Sequence, residues 1–178
     1  MESFVALLRA VNVGGRTIRM EELRALFSEM GFGDVRTMLA SGNVLFKTDG
    51  KATAALEERI AERLQAHLGY EVTTFVRTAA EMAAVAGSAV TSEDERSRAS
   101  AVNVAFLERS LTAKEQEAVL ALRSEVDELR VAGREVYWLC RVKQSESRFT
   151  NVRLERAAGV RSTIRGWNTV QKLAAALR

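Results

Sequence analysis

The sequence predicts an α+β fold of two ferredoxin-like (βαββαβ, alpha-beta plait) subdomains in tandem, with an extra C-terminal helix. Two observations support this prediction. Segments with strand and helix periodicity first alternate in the order β-α-β-β-α-β, the split-βαβ order. The same order then restarts after a polar, aperiodic stretch at residues 87–100, which we interpret as a linker. The predicted boundaries are 1–86 for the first subdomain and 101–178 for the second.

The first half opens with the apolar run Phe4–Val11, which predicts a buried strand. Apolar residues at helical spacing predict a helix over Met20–Met30, with Gly31 as its left-handed C-cap. Two short strands joined by a tight turn, a second helix and a fourth strand follow at Val35–Leu39, Val44–Lys47, Leu56–Leu68 and Tyr70–Val76. Thr78 and Glu81 have the spacing of a capping box, which predicts a further short helix.

The second half repeats this order. Val102–Leu107 is a predicted strand, and Thr112 and Glu115 have capping-box spacing for the next helix. The remaining predicted elements are a hairpin turning at residues 133–134, a helix over Phe149–Ala158, an extended piece over Val160–Ile164 and a last helix opened by an Asn168–Gln171 capping pair. The two halves share no evident residue identity, so the repeat is one of element order only.

A single histidine and a single cysteine exclude several chemistries. A zinc site built on His and Cys needs more ligands than His67 and Cys140 provide, and no disulfide can form within the chain. His67 lies at the end of an amphipathic helix, far in sequence from any nucleophile. Cys140 alternates with Trp138 along a strand, which predicts a buried thiol. We therefore predict no metal site and no cofactor.

The N-terminal segment and the hydropathy pattern bear on location. The chain starts MESFVALLRAV, without the basic region and long apolar run of a signal peptide. No stretch approaches 18 consecutive apolar residues, so the sequence predicts no membrane association. We expect a cytoplasmic protein, and the oligomeric state is left open.

Charge is distributed unevenly along the chain. Residues 141–178 carry a net charge of +7, whereas the rest of the chain carries −4. Such asymmetry predicts a surface that meets an anion. The favoured function is a binding module for a small anionic ligand, phosphate-bearing or nucleotide-like. The alternatives are a nucleic-acid-binding protein using the basic C-terminal segment and an enzyme using carboxylates such as Glu21, Glu22 or Glu155.

Three stretches are candidate binding segments. The RAVNVGG stretch leads from a strand to a helix, and its glycines let backbone amides approach an anion; its candidate residues are Arg9, Asn12, Gly14 and Gly15. The hairpin tip offers Ser41 and Asn43, which a plain turn would also explain.

The third stretch lies near the C-terminus and combines arginine, which binds phosphate or carboxylate, with a tryptophan face for stacking. Its candidate residues are Asn151, Arg161, Thr163, Arg165, Trp167, Asn168 and Thr169. We predict a loop over residues 161–169, with Arg165 as the main donor and Trp167 as wall or stacking face. A solvated basic face with a core-filling tryptophan is the structural alternative.

The segments ALLRAVNVGG, ASGNVLF and TIRGWNTVQKL resemble the signature stretches of a bacterial family of unknown function, DUF1697. The resemblance covers both ends, the first hairpin and the element order, and it implies a small cytosolic α+β protein. It implies no activity. The chain departs from the family pattern at Gly166, where members have asparagine, and at Arg19, where members often have proline. The glycine removes a polar group from the C-terminal stretch.

Overall fold

The computed structural model describes residues 1–39, 42–51 and 54–178, and within these ranges it contains eight strands and seven α-helices. The strands are β1 Glu2–Leu8, β2 Gly33–Met38, β3 Asn43–Thr48, β4 Thr74–Thr78, β5 Ala101–Leu107, β6 Asp127–Ala132, β7 Glu135–Cys140 and β8 Ser162–Gly166. The helices are α1 Met20–Glu29, α2 Ala54–Leu68, α3 Ala79–Ala86, α4 Glu93–Arg98, α5 Ala113–Leu120, α6 Asn151–Ala158 and α7 Trp167–Ala176.

The strands form two four-stranded sheets in which all neighbouring strands are antiparallel. The first sheet has the order β2-β3-β1-β4 and the second β6-β7-β5-β8. The α+β class and the tandem organisation are therefore confirmed. Residue contacts divide the chain into unit 1, Met1–Ala84 with Lys172–Arg178, and unit 2, Val85–Gln171.

In unit 1 the helix-facing side of the sheet is filled by aromatic rings. Phe4 on β1 stacks on Phe46 of β3 with ring centroids 5.6 Å apart, and Phe32 lies 4.6 Å from Phe46. Alternate residues of a strand face opposite sides, so Ala6 and Leu8 of β1 join Phe4 in this core, beside Phe27 of α1 and Ile60 of α2. Gly31 and Gly69, which follow the two helices, have positive φ.

Unit 2 builds its core on the same plan from smaller elements. Trp138 of β7 lies 4.7 Å from Phe149, and its indole N–H donates to buried Asp127 at 2.8 Å. Cys140 is fully buried, as predicted, and this burial raises the pKa of its thiol. The predicted capping box of α5 is present, with Glu115 N–H donating to Thr112.

The two sheets have matching strand registers. Val5 of β1 pairs with Arg77 of β4, and Val104 of β5 pairs with Arg165 of β8. Both arginines are buried, and both donate from Nη1 to the carbonyl of the preceding residue. A helix starts directly after each of these strands. The repeat therefore extends to individual positions, which the sequences of the halves did not reveal.

Several sequence expectations need correction. Residues 87–100 contain α4, opened by a Ser92–Glu95 capping box. Arg130 of β6 pairs with Glu95 and donates to the Val90 carbonyl, so this stretch is attached to the sheet of unit 2. The fourth strand begins at Thr74, later than predicted.

The last helix also differs from expectation. It begins at Trp167, directly after β8, so the predicted Asn168–Gln171 capping pair is wrong. Gln171 instead donates to the carbonyl of Ala86 at 2.9 Å. The predicted boundaries assigned the whole helix to the second subdomain, whereas its end belongs to unit 1 by contacts. There Arg36 donates to the Ala176 carbonyl at 3.3 Å. Among the described helices, none is long and apolar enough to cross a membrane.

Candidate functional site

The outer strands β4 and β8 each have one open edge. Leu8 of β1 donates its N–H to Gly42 on the β3 side, so its β4 partner Thr74 directs its own N–H outward. Val76 and Thr78 follow by alternation. In the second sheet, Leu107 of β5 donates its N–H to Arg134 on the β7 side. This places the N–H groups of Ser162, Ile164 and Gly166 of β8 on the outer edge. The register makes Ile164 equivalent to Val76 and Gly166 equivalent to Thr78.

Unit 1 closes its edge with its own carboxylates. Val76 N–H donates to Glu57 Oε1 of α2 at 2.7 Å. Thr78 N–H donates to Glu81 Oε2 at 2.8 Å, and Glu81 N–H donates back to the Thr78 hydroxyl at 3.0 Å. This is the capping box that the sequence predicted. Both outward donors at this junction therefore bind carboxylate oxygens.

Unit 2 leaves the equivalent donors open. Glu155 of α6 accepts from Ser162 N–H at 2.7 Å, and Ser162 lies two residues before the position equivalent to the Glu57 contact. The N–H groups of Ile164 and Gly166 have no acceptor within residues 1–39, 42–51 and 54–178. A strand edge with unsatisfied donors is costly unless water or a ligand binds there.

These donors line a groove of about 680 Å³ in unit 2, which we call the β8 groove. Its lining contains no charged residue: it consists of Asn103, Trp138, Gln144, Ser145, Ser147, Phe149, Thr150, Asn151, Ile164 and Gly166. The volume falls in the range of small-molecule sites. Side-chain amides, hydroxyls and open backbone N–H groups provide its polar contacts.

The two units also differ in the buried residue that pairs with this end of the outer strand, which is Asn103 in unit 2. It occupies the β5 position equivalent to Phe4, since Phe4 pairs with Thr78 and Asn103 with Gly166. Asn103 is only 6% exposed, and its Nδ2 makes a long contact of 3.4 Å with Gln144 Oε1. Where unit 1 has a stacked phenyl ring, unit 2 therefore has a buried amide at the β8 groove.

The start of α7 adds further donors. Gly166 precedes the helix at the position of Thr78, and Thr169 stands where unit 1 has Glu81. Glycine has no side chain that can accept from Thr169 N–H, and the described residues supply no other acceptor for it. The open N–H groups at a helix N-terminus favour an anion.

Arg165 is not on a loop. It lies in β8 and is 8% exposed, and its Nη1 donates to the Thr163 hydroxyl at 2.8 Å and to the Ile164 carbonyl at 2.9 Å. Burial lowers its pKa to about 10, which still leaves it protonated at neutral pH. The prediction of a loop over 161–169 is wrong, because strand pairing continues to Gly166, directly before the first residue of α7. The Arg165 guanidinium is therefore bonded to residues of its own strand and does not face solvent.

The other C-terminal candidates have varied surroundings. The Arg161 Nε donates to Glu108 at 2.7 Å, so this charge is paired. The face of Trp167, predicted as a stacking surface, is covered by the Arg96 guanidinium 4.7 Å from the ring centroid. Asn168 is exposed at the start of α7. Asn151 bonds the Ser162 hydroxyl and carbonyl and lines the β8 groove.

The N-terminal candidates form a separate cluster in unit 1. Asn12 Oδ1 accepts from Ile18 N–H at 2.8 Å and closes the RAVNVGG loop, in which Gly14 and Gly15 have positive φ. The Arg9 N–H donates to the Thr73 carbonyl. The Leu8 N–H donates to Gly42 at 2.7 Å, which joins this loop to the hairpin tip.

At the hairpin tip, buried Asn43 donates to the Met38 carbonyl at 3.0 Å, the role expected of a turn residue. Ser41 lies outside the described residues. The structure thus brings the first two candidate stretches together in unit 1, and the third belongs to unit 2.

The carboxylates considered for catalysis have structural partners. Glu22 contacts His67 Nε2 at 2.6 Å, and this hydrogen bond lowers the pKa of Glu22. Glu21 pairs with Arg24, and Glu155 caps β8. In the part of the chain that the structure describes, no group of three His, Cys, Asp or Glu residues is arranged to hold a metal ion.

Sequence reasoning missed the residues that distinguish the β8 groove, namely Asn103, Gln144, Ile164 and Gly166. One signal was available: Asn103 interrupts the apolar strand VNVAFL at a position that faces the helices. Its significance depends on Gly166 lying opposite, which only strand pairing shows.

The fold and the groove define an α+β protein of two tandem sheet-and-helix units with a small-molecule-sized groove in unit 2. The family model described as "Protein of unknown function (DUF1697)" matches residues 1–137, and the chain belongs to this family. The matched segment extends from β1 into β7.

A solved structure with the same fold is that of the conserved bacterial protein SP0830 from Streptococcus pneumoniae. It shares 19% sequence identity with this chain at a TM-score of 0.82, and the alignment covers 99% of this chain and 98% of that one. At this identity the similarity concerns the fold alone. No functionally curated protein matches the chain.

Proposed function

We propose that this protein is a binding module for a small anionic ligand. The ligand's oxygens accept hydrogen bonds from Ile164 and Gly166 N–H in the β8 groove and from Thr169 N–H at the adjacent start of α7. One observation carries the proposal. The equivalent N–H groups of unit 1, on Val76 and Thr78, bind the carboxylates of Glu57 and Glu81. Unit 1 thus shows that carboxylate oxygens bind to N–H groups arranged in this backbone geometry.

The chemistry of the groove fits an oxyanion held mainly by backbone donors. No acidic residue lines the groove, so a bound anion meets no direct repulsion from its walls. The N-terminus of α7 supplies the favourable end of a helix dipole, worth about 0.3–1 kcal/mol. Asn103 and Gln144 are placed to contact the remainder of a ligand. A phosphate ester and a carboxylate share this chemistry.

The expectation that Arg165 is the main donor is not retained, because the buried guanidinium is already bonded within its own strand. Asn151, Asn168 and Thr169 remain candidates at or beside the groove. The RAVNVGG loop with Arg9 and Asn12 stays a prediction for a second, weaker site. We also propose that each unit is a ferredoxin-like plait and that the protein works in the cytoplasm.

The test rebuilds the unit 1 capping box in unit 2. In the double variant Gly166→Thr/Thr169→Glu, the new carboxylate would accept from residue 166 N–H, as Glu81 does from Thr78. The position tolerates a side chain, because a Cβ at Gly166 would meet Asn103 Oδ1 at 3.9 Å, an ordinary contact. The matched control is Ala175→Glu, which adds the same charge to the same helix about 9 Å further along.

The probes are inorganic phosphate, acetate and adenosine monophosphate, followed by backbone amide NMR. In the wild type we expect saturable shifts of Ile164, Gly166 and Thr169 N–H with at least one probe. The double variant should lose these shifts, while Ala175→Glu keeps them. Wild-type amides that stay unmoved by all three probes would refute the proposal, as would equal shifts in the double variant.

A further inference from the structure

A second pocket of unit 2 concentrates arginines, and we infer that it is a separate binding site for the phosphate group of a small ligand. The pocket has a volume of about 420 Å³ and is lined by residues 121–127 together with Glu146, Arg148, Phe149 and Arg153. We call it the arginine pocket. Arg123, Arg148 and Arg153 all line it, and none of the three was among the residues that the sequence singled out.

These arginines keep their charge available. Arg123 Nε donates to the Leu120 carbonyl at 3.0 Å, and Arg153 Nη1 donates to the Arg148 carbonyl at 3.0 Å. A neutral carbonyl orients a guanidinium without neutralising it. Within the described ranges, none of the three arginines forms an ion pair with a carboxylate, in contrast to Arg109, Arg130 and Arg161 of the same unit.

The pocket also contains three acidic residues, and in the described part of the chain none of them is paired with its arginines. Asp127 is buried and already accepts from Trp138, Ser147 and Ser124. Glu125 and Glu146 are exposed, and neither is paired with a pocket arginine. The three guanidinium groups therefore keep N–H donors that no carboxylate of the described chain occupies, and we infer that an anion from outside the chain binds them.

The start of α6 strengthens this conclusion. Thr150 accepts from Arg153 N–H at 3.2 Å, and the first turn contains no acidic residue. Cations beside a helix N-terminus are unfavourable, because that end of the dipole is positive. Arg148 and Arg153 lie there, and an anion between them would reverse the penalty. The planar guanidinium of arginine can donate two parallel N–H bonds to a phosphate, which the point charge of a lysine ammonium cannot.

Pocket size and placement favour a small ligand. A volume of about 420 Å³ suits one phosphate with a compact group attached. Phe149 borders both this pocket and the β8 groove, whereas the arginines belong to the former alone. The inference does not depend on the β8 groove binding anything.

The experiment titrates inorganic phosphate while arginine Nε–H and backbone amide NMR signals are recorded. We expect saturable shifts of Arg148 and Arg153 and of the amides at the start of α6. Arg148→Ala and Arg153→Ala should each weaken phosphate binding about tenfold, the loss expected for a charge-assisted hydrogen bond. Arg156→Ala is the matched control: it is exposed on the same helix and does not line the pocket.

The outcomes separate this inference from the proposed function. Gly166→Thr/Thr169→Glu should leave the arginine-pocket shifts unchanged, and Arg148→Ala should leave those of Ile164 and Gly166 unchanged. An equal loss in Arg156→Ala would show diffuse attraction to the basic surface and overturn the inference. So would the absence of arginine shifts with phosphate. Binding of a DNA duplex that shifts arginines across the whole unit, with a steep salt dependence, would also overturn it.

Discussion

The β4–α3 junction of unit 1 and the β8–α7 junction of unit 2 share a strand register and differ in what accepts their outward N–H groups. In β4, Glu57 and Glu81 bind the donors of Val76 and Thr78. In β8, the equivalent donors on Ile164 and Gly166 face a groove. The same backbone is thus a closed structural edge in one unit and an open candidate site in the other.

The inner positions change together with the edge. Phe4 stacks on Phe46 in unit 1, and unit 2 has Asn103 beside Trp138 at these positions. A stacked aromatic pair closes the space behind the strand by burying apolar surface. A buried amide in its place leaves polar atoms that need partners. Two independent differences, one on the backbone and one on a side chain, therefore mark the same end of β8.

The largest effect should come from the features that the two junctions share, the buried arginines. Arg77→Ala removes a fully buried cation 3.9 Å from Glu57, and we expect a loss of about 3 kcal/mol in unfolding free energy. Arg165→Ala should cost about 2 kcal/mol, because Arg165 retains slight exposure. Exposed Arg156→Ala should stay within about 0.5 kcal/mol.

Urea unfolding measures these losses, and two probes separate the units. Both tryptophans, Trp138 and Trp167, lie in unit 2, so their fluorescence reports Arg165→Ala directly. Far-UV circular dichroism reports both units. If Arg165→Ala leaves the fluorescence midpoint unchanged, the arginine does not stabilise β8 and the equivalence with Arg77 fails.

Exchanging the caps should produce smaller effects of opposite sign. Glu81→Thr opens the unit 1 junction and should destabilise it by about 1 kcal/mol, the usual worth of a helix cap. Gly166→Thr/Thr169→Glu closes the unit 2 junction and should stabilise it by up to about 1 kcal/mol. Thermal unfolding of the two variants and the wild type checks the signs. A double variant that melts below the wild type would mean that the junctions are not interchangeable.

The smallest effect concerns the attachment of α4, which is a feature of unit 2. The hydrogen bond from Arg130 lowers the pKa of Glu95 to about 2, with help from the Ser92 cap. A carboxyl with a lowered folded pKa stabilises the fold at pH values above its unfolded pKa, and this contribution is lost as the pH falls toward 2. Wild-type stability should therefore decline between about pH 4.5 and pH 2.

The variant Glu95→Gln should show a shallower decline over the same pH range and should converge with the wild type near pH 2. Tryptophan fluorescence during urea unfolding at several pH values provides the measurement. Exposed Glu117→Gln serves as the control for the loss of one negative charge. Parallel pH profiles for wild type and Glu95→Gln would show that the Arg130 pair does not contribute.

Much of the fold followed from local patterns because their causes are local. The capping boxes at Thr78 and Thr112 are confirmed, since a hydroxyl and a carboxylate three residues apart satisfy each other's backbone donors within one turn. Gly159 ends α6 with positive φ for an equally local reason. The candidate site stays a prediction: the sequence centred it on Arg165, whereas the structure moves the proposal to the neighbouring N–H groups of Ile164 and Gly166.

The wrong expectation of a loop around Arg165 has a physical explanation. Arginine, threonine and asparagine in a short stretch are typical of an exposed loop, and nothing local distinguishes that from an edge strand. Pairing with Val104 decided the matter, because it turned Arg165 away from the open edge and buried it. The helix α4 was missed for a related reason: its short polar turn has no apolar face, and it is held by Arg130 from a distant strand.

The sequence by itself determined the order of the strands and of most helices, the capping boxes of α3 and α5, the buried thiol and the uneven charge. These features depend on neighbouring residues or on composition, so they can be predicted from one sequence. Only the tertiary structure decided that Arg77 and Arg165 occupy equivalent positions in the two sheets, and that Asn103 of β5 pairs with Gly166 of β8. Those facts depend on pairing between residues distant in sequence, where burial and register, rather than residue type, decide which polar groups are satisfied and which remain open to a ligand.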